Sequence, residues 1–202
     1  LGIYCPTTYI SRSIHQTTIR IPEQENTGEL MGQDIRQILM MRHGYAEAVS
    51  RNGDDYFRTL TREGVDLATQ AARGLKSIVP NLDAIYTSPL RRARETGVIM
   101  GAPFGIGLDA VKAAIFLAET EPDLYFKAMW QLQGDTVLFV GHLPAVHDFV
   151  FRALRQQGQR LTFSPTSVAI LSFHDAVAPQ QAVLESFYTG EELAMLAENG
   201  EA

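Results

Sequence analysis

Cys5 is the only cysteine among 202 residues, so no disulfide can close within the chain and no cluster of cysteines can hold a metal. A reducing, cytoplasmic setting fits that scarcity. Long apolar runs are missing too: none approaches the ~20 residues of a membrane helix, and a soluble protein with no membrane partner is expected. Basic residues are outnumbered, with 17 Lys and Arg against 23 Asp and Glu and a formal net charge of −6. The acids gather toward the end of the chain at Glu185, Glu191, Glu192, Glu198 and Glu201. No broad basic face is left to bind nucleic acid, so any anion site has to be local. Neither G-x-G-x-x-G nor a Walker-type loop occurs, which removes the common nucleotide cradles.

What the chain does have is 46% hydrophobic residues, enough for one substantial core at this length. Residues 1–35 read as an N-terminal extension and 36–202 as one domain. Leu1 to Pro22 carries Arg12, Arg20 and several Ser and Thr but no acid, a composition resembling a transit peptide. It shows no long apolar face and no clear cleavage site, so an N-terminal arm is the preferred reading and organelle targeting stays open. Ile19-Arg20-Ile21 suits an edge strand, and Glu23 to Gly32 a polar linker.

The domain opens on Gln37-Ile38-Leu39-Met40-Met41-Arg42-His43-Gly44. Four apolar residues without alternation suit a strand covered on both faces, and the run ends on an arginine, a histidine and a turn-forming glycine. Adjacent strand residues point to opposite faces, so Arg42 and His43 converge on one ligand only if the strand coils at its end. Tyr45 to Leu60 reads as a surface loop in which Arg51 and Arg58 are solvated. Thr61 is placed to cap a helix whose apolar residues Val65, Ala68, Ala72, Leu75 and Ile78 recur at helical spacing before Pro80 stops it.

Leu82 to Thr87 reads as a second strand, followed by Ser88 as a helix cap and Pro89 at the first helical position, with the helix running to about Met100. Ser88, Arg92 and Thr96 are four apart and share a face near a helix N-terminus, where free N–H groups attract anions. Arg91 and Arg94 point elsewhere. A short strand within Leu108 to Phe116 precedes the acids Glu119, Glu121 and Asp123, and Pro122 opens a helix burying Leu124, Ala128, Met129 and Leu132. Thr136 to Val140 is another buried strand and ends in Gly141-His142-Leu143-Pro144, repeating the opening pattern. A helix from Ala145 to a stop at Gly158, strands over Ser167–Phe173 and Ala182–Phe187, and a helix started by a capping box at Thr189 to Glu192 complete the chain. Strands alternating with helices predict an α/β fold, a three-layer sandwich with a central, largely parallel sheet flanked by helices. Ligands in such sheets bind beyond the carboxyl ends of the strands.

Three of these strands end at His43, Ser88 and His142. Two histidines and two arginines at one edge suit phosphoryl transfer: guanidinium groups grip phosphate oxygens in pairs, and a neutral imidazole nitrogen can attack phosphorus. Their charge takes the part Mg²⁺ would otherwise play, so no metal and no cofactor is called for. His142 and His147 do not make a metal site by themselves, because a third ligand is not evident. His15, His147 and His174 are read as structural or exposed.

Arg42-His43-Gly44, then Ser88-Pro89-Leu90-Arg91-Arg92-Ala93-Arg94-Glu95-Thr96, then Gly141-His142-Leu143-Pro144, taken in that order, resemble the histidine phosphatases of the phosphoglycerate mutase-like superfamily. Leu60-Thr61-Arg62-Glu63-Gly64, the His-Leu-Pro form of the last motif and Thr166-Ser167-Val168-Ala169 are most similar to SixA-type phosphohistidine phosphatases. The likeness covers about Ile38 to Phe173. It implies a metal-independent phosphatase in which His43 becomes phosphorylated while Arg42, Arg92 and His142 hold the phosphoryl group. The Arg-Ala-x-x-Thr spacing selects Arg92 over Arg91. Many relatives protonate the leaving group with a carboxylic acid, for which Glu119 is the first candidate and Glu121 the second, with water as the other source. The implied partner is a phosphorylated substrate, with a phosphohistidine protein as the leading case. Two alternatives stand beside it: a phosphatase or mutase for a small phosphorylated metabolite, and a non-catalytic phosphate-binding scaffold.

Overall fold

Ile38, Leu39, Met40 and Met41 have no solvent-accessible surface, as expected of a strand in the middle of a sheet with helices on both sides. A computed structural model of the chain describes residues 37–118, 121–129, 132, 134–154, 161–174 and 177–200. The expected edge strand at Ile19–Ile21, the polar linker at Glu23–Gly32, the domain start near Ile35 and the helix stop at Gly158 lie outside the described residues.

β1 (Gln37–Arg42), β2 (Ala84–Thr87), β3 (Val111–Ala113), β4 (Thr136–Gly141), β5 (Val168–Ser172) and β6 (Val183–Tyr188) form one sheet in the order β3-β2-β4-β1-β5-β6. The β3-β2-β4-β1 portion is parallel. β5 runs antiparallel to β1, and β6 antiparallel to β5. The sheet is therefore mixed: helices lead from β1 to β2 and from β3 to β4, whereas β6 follows β5 in the chain and pairs beside it.

α1 (Arg62–Ile78), α2 (Arg91–Gly101) and α5 (Gly190–Gly200) cover one face, where Leu39, Met41, Ile85, Leu138 and Val140 meet Leu75, Ala93, Met100 and Leu193. α3 (Pro122–Met129) and α4 (Ala145–Ala153) cover the other, where Ile38, Met40, Tyr86, Val137 and Phe139 meet Tyr125, Met129, Phe149 and Val150. The period-2 alternation of each strand sends successive side chains into opposite cores. Each large side chain so buried contributes about 1.5–3 kcal/mol. Together these make the predicted α/β three-layer sandwich.

Local signals fare unevenly. Thr61 caps α1, its Oγ1 accepting from the Gly64 N–H over 3.1 Å. Thr189 and Glu192 form the expected reciprocal box, with the Thr189 N–H on Glu192 Oε2 at 2.8 Å and the Glu192 N–H on Thr189 Oγ1 at 3.2 Å. Val65, expected in the core, is 39% exposed because the buried stripe of α1 runs through Gly64, Ala68, Ala71, Ala72 and Leu75. α5 crosses α1 so closely that a β-carbon on Gly74 would lie 1.7 Å from the Leu193 carbonyl oxygen. α2 begins at Arg91 and not at Pro89, since the Ser88 N–H is still bonded to the Val140 carbonyl as an extension of β2. α4 ends at Ala153, with Leu154 already extended. The N–H groups of Gln180 and Ala182 take the carbonyls of Arg152 and Ala153, and Leu154 bridges to Ala182. Among the described residues no helix is long and apolar enough to cross a membrane.

Candidate active site at the carboxyl edge of the sheet

Sheet register sets the site. Arg42 pairs with Gly141 and Thr87 with Val140, so β1, β4 and β2 stop at one level and His43, His142 and Ser88 follow side by side. The His43 N–H donates to the Gly141 carbonyl over 3.1 Å, and the two imidazole rings lie 4.9 Å apart, centroid to centroid.

The backbone of residues 42–44 is held from two directions. The N–H of Thr166 reaches the carbonyls of both Arg42 (3.1 Å) and His43 (3.2 Å), and Thr166 takes the left-handed conformation with φ 68° to do so. That region is costly for a β-branched residue. On the other side the Gly44 N–H donates to Thr96 Oγ1 at 3.0 Å, and the same hydroxyl donates to the Arg92 carbonyl at 2.7 Å. The shared face of Ser88, Arg92 and Thr96 thus packs on the end of β1. Arg91 instead lies on the exposed side, paired with Glu95 at 2.9 Å.

His43 has a defined tautomer. Its Nδ1 is 2.7 Å from the Gly44 carbonyl oxygen and donates to it, while Nε2 accepts from the Arg92 Nε–H over 3.3 Å. Its pKa is lowered to about 4, chiefly by burial; the Gly44 carbonyl opposes this, and Arg92, Arg42 and Arg58 add to it. Burial also pushes His142 down, to about 3, helped by His43 and Arg92. Both rings are neutral at pH 7. Neither ring nitrogen of His142 has a hydrogen-bond partner among the described residues, although both are buried, so both are left for water or a ligand.

Arg42 lies between the two walls of the site. Its Nη1 donates to the Phe163 carbonyl at 2.8 Å, Nε is buried with no partner among the described residues, and burial lowers its pKa.

Two residues that local pattern did not single out complete the constellation. Arg92 Nη1 and Nη2 donate to the main-chain oxygen (2.9 Å) and carboxylate (3.0 Å) of Asp55, and Asp55 Oδ1 accepts from Arg58 Nη1 at 2.7 Å. Hydrogen bonds from Arg58 and Arg92 hold Asp55 below the usual carboxylate range. Arg58 is therefore no free surface arginine; its Nε also donates to the Glu47 carbonyl. The available signal was Asp55-x-x-Arg58 standing immediately before the Leu60-Thr61 motif. Arg51, by contrast, is exposed as expected.

Glu119 lies outside the described residues. Glu121 is exposed just ahead of α3, and among the described residues nothing ties its carboxylate to the histidines. His147 is exposed, bonded to Asp148 at 3.0 Å and stacked on Phe151, and His174 is exposed. Among the described residues no group of three or more His, Cys, Asp or Glu is arranged to hold a metal ion.

The class defined by this fold and edge is an α/β sandwich with paired imidazoles inside a cluster of guanidinium groups. Residues 38–115 match the family model of the histidine phosphatase superfamily, branch 1. A putative phosphohistidine phosphatase SixA from Nakamurella multipartitia is similar at 26% identity and TM-score 0.64, over 76% of this chain and 95% of that one. The protein histidine phosphatase SixA complexed with tungstate superposes at TM-score 0.66 and 21% identity, over 78% and 99% of the two chains. The putative SixA of Agrobacterium tumefaciens does so at TM-score 0.62 and 19% identity, over 76% and 98%. No curated protein matches the chain by sequence.

Proposed function

We propose that this chain is a phosphatase working through a phosphohistidine on His43, with residues 36–202 as its catalytic domain and a phosphohistidine-bearing protein as its substrate. The observation that carries the reading is the His43 ring, whose Nδ1–H is tied to Gly44 so that the Nε2 lone pair faces Arg92 beside His142. A neutral, oriented nitrogen next to fixed positive charge is what attack on a phosphoryl group needs.

In the first step Nε2 forms a bond to phosphorus as the bond to the leaving group breaks. Arg42, Arg92 and His142 hold the phosphoryl oxygens. An arriving dianion favours protonation of His142, which then donates where it formerly had no partner among the described residues. For a phosphohistidine substrate the leaving nitrogen takes its proton from water or from a nearby acid, with Glu119 the first candidate and Glu121 the second. In the second step water attacks phosphorus, the Nε2–P bond breaks, and His43 is restored with release of phosphate. Asp55, kept ionised by Arg58 and Arg92, serves to hold those guanidiniums apart and in register.

A protein-borne phosphate is favoured by the rim: Tyr45, Tyr56, Phe57 and Leu143, on the loops next to the histidines, are all exposed. Such apolar surface suits contact with another macromolecule. SixA-type neighbours are similar in fold, and that alone does not choose a substrate. The test is a rate comparison with EDTA present, using a phosphohistidine peptide, a phosphoserine peptide, phosphosugars and p-nitrophenyl phosphate. Preference for the phosphohistidine peptide supports the reading. A phosphosugar turned over fastest would replace it with a metabolite phosphatase, and binding of phosphate without turnover of any substrate would replace it with a scaffold.

A further inference from the structure

A cleft of about 420 Å³ is lined by Glu47, Arg51, Asn52, Phe57, Thr59 and Arg91, a volume within the range of ligand pockets. It shares its walls with the site above. Phe57 and Thr59 line it, while Arg58 between them, which follows the 3-10 turn Asp55–Phe57, turns back to Asp55. Arg91 lines it, and the next residue, Arg92, reaches His43. One residue therefore separates the cleft from the histidine site along two different stretches of chain.

Its charges are unevenly met. Arg51 has no hydrogen bond or ion pair among the described residues, and Arg91 uses only Nε, on Glu95 Oε1 at 2.9 Å, which leaves both terminal amino groups for another acceptor. Glu47 is the one carboxylate in the lining. One unpaired guanidinium, Arg51, and the free terminal amino groups of a second, Arg91, beside an exposed phenyl ring fit a carboxylate with an apolar neighbour. A chain of net charge −6 has no general surplus of cations to explain them.

We propose that this cleft is a specificity subsite that receives an acidic side chain of the polypeptide carrying the phosphorylated histidine. The inference rests on the phosphatase reading and adds to it the sequence around the target residue.

The test compares kcat/KM for phosphohistidine peptides of one length flanked by Glu, Gln or Lys, with p-nitrophenyl phosphate as a substrate too small to reach the cleft. Wild type should prefer the Glu-flanked peptide. Arg51→Gln and Arg91→Gln should each lower its kcat/KM by about fivefold, the upper end for a solvent-facing ion pair, and leave p-nitrophenyl phosphate within twofold. Arg51→Glu combined with Arg91→Glu should turn the preference toward the Lys-flanked peptide. Equal rates for the three peptides in wild type, or equal losses on all substrates in the variants, would overturn the subsite. So would a doubly phosphorylated small molecule whose preference over the peptides disappears in Arg51→Gln, because the cleft would then take a second phosphate. Wild type inert toward p-nitrophenyl phosphate and all three peptides removes the phosphatase reading itself, a result separate from activity without flanking preference.

Discussion

Arg92 donates its Nε–H to His43 Nε2 across 3.3 Å, which makes Nε2 the unprotonated imidazole nitrogen. A nitrogen that accepts a hydrogen bond carries no proton, and His43 Nδ1–H is already engaged by the Gly44 carbonyl at 2.7 Å. Contact with Arg92 also keeps the ring neutral, since a second positive charge there is unfavourable.

The first prediction concerns the covalent step. Labelled substrate, quenched rapidly, should leave a phosphate on the protein that survives alkali and is lost in acid, the signature of an N–P bond. His43→Ala should abolish both label and turnover, whereas His142→Ala should slow turnover and still permit some label. Label found on His142 in the His43→Ala protein reverses the two roles.

Arg92→Ala should lower kcat by about 10²- to 10³-fold, the cost of removing an oriented donor from a sheltered site. Arg91→Ala and Arg94→Ala should stay near wild type on p-nitrophenyl phosphate, because Arg91 pairs with Glu95 on the exposed side of α2. Steady-state kinetics of the three variants decides it, and a crippled Arg91→Ala would contradict the observed helix phase.

Arg58 offers a contrast with its neighbour Arg62. Arg58→Ala frees Asp55 to pull on Arg92 alone and removes a charge felt at both histidines, so kcat/KM on p-nitrophenyl phosphate should fall about tenfold or more. Arg62→Ala, at a side chain 91% exposed, should be silent.

Acid should destabilise the fold through the histidine pair. The pKa values of His43 and His142 in the folded chain, about 4 and about 3, lie below the ordinary 6.5, so the unfolded chain binds protons first as the pH falls. Stability is then full above about pH 6.5 and declines toward pH 4, by at most about 1.4 kcal/mol per pH unit for each imidazole. Urea midpoints between pH 7.5 and 4.5 should show this slope, and His43→Gln with His142→Gln should flatten it. An equal slope in the double variant assigns the effect elsewhere.

Chelation should not matter. Arg42, Arg58 and Arg92 surround the site with positive charge, so EDTA should leave p-nitrophenyl phosphate hydrolysis unchanged. Loss of activity on chelation, restored by Mg²⁺ or Zn²⁺, would falsify the metal-free mechanism.

Much of the scaffold was legible because its signals are local. The unbroken run Ile38 to Met41 announces a strand buried on both faces, and Ser88, Arg92 and Thr96 share a helix face by spacing alone. Thr61 and Thr189 cap helices through hydrogen bonds that span three residues. Where local rules met a competing partner they yielded: Ser88 kept its bond to β4, and Leu154 took a bridge to Ala182 where α4 ends. The histidine and arginine motifs were visible as types in order, but not as an arrangement.

That arrangement belongs to the tertiary structure. Asp55 meets Arg92 across 37 positions of chain, and Arg58 becomes part of the site only because the 45–60 loop folds back over α2. Thr166 reaches the carbonyls of Arg42 and His43 from the segment entering the neighbouring strand β5, and Arg51 and Arg91 come to line one cleft. Hydrophobic periodicity and capping act over a few residues and can be read along the chain. Charge pairing between distant loops depends on strand register and helix crossing, which are set only when the two cores close on the sheet.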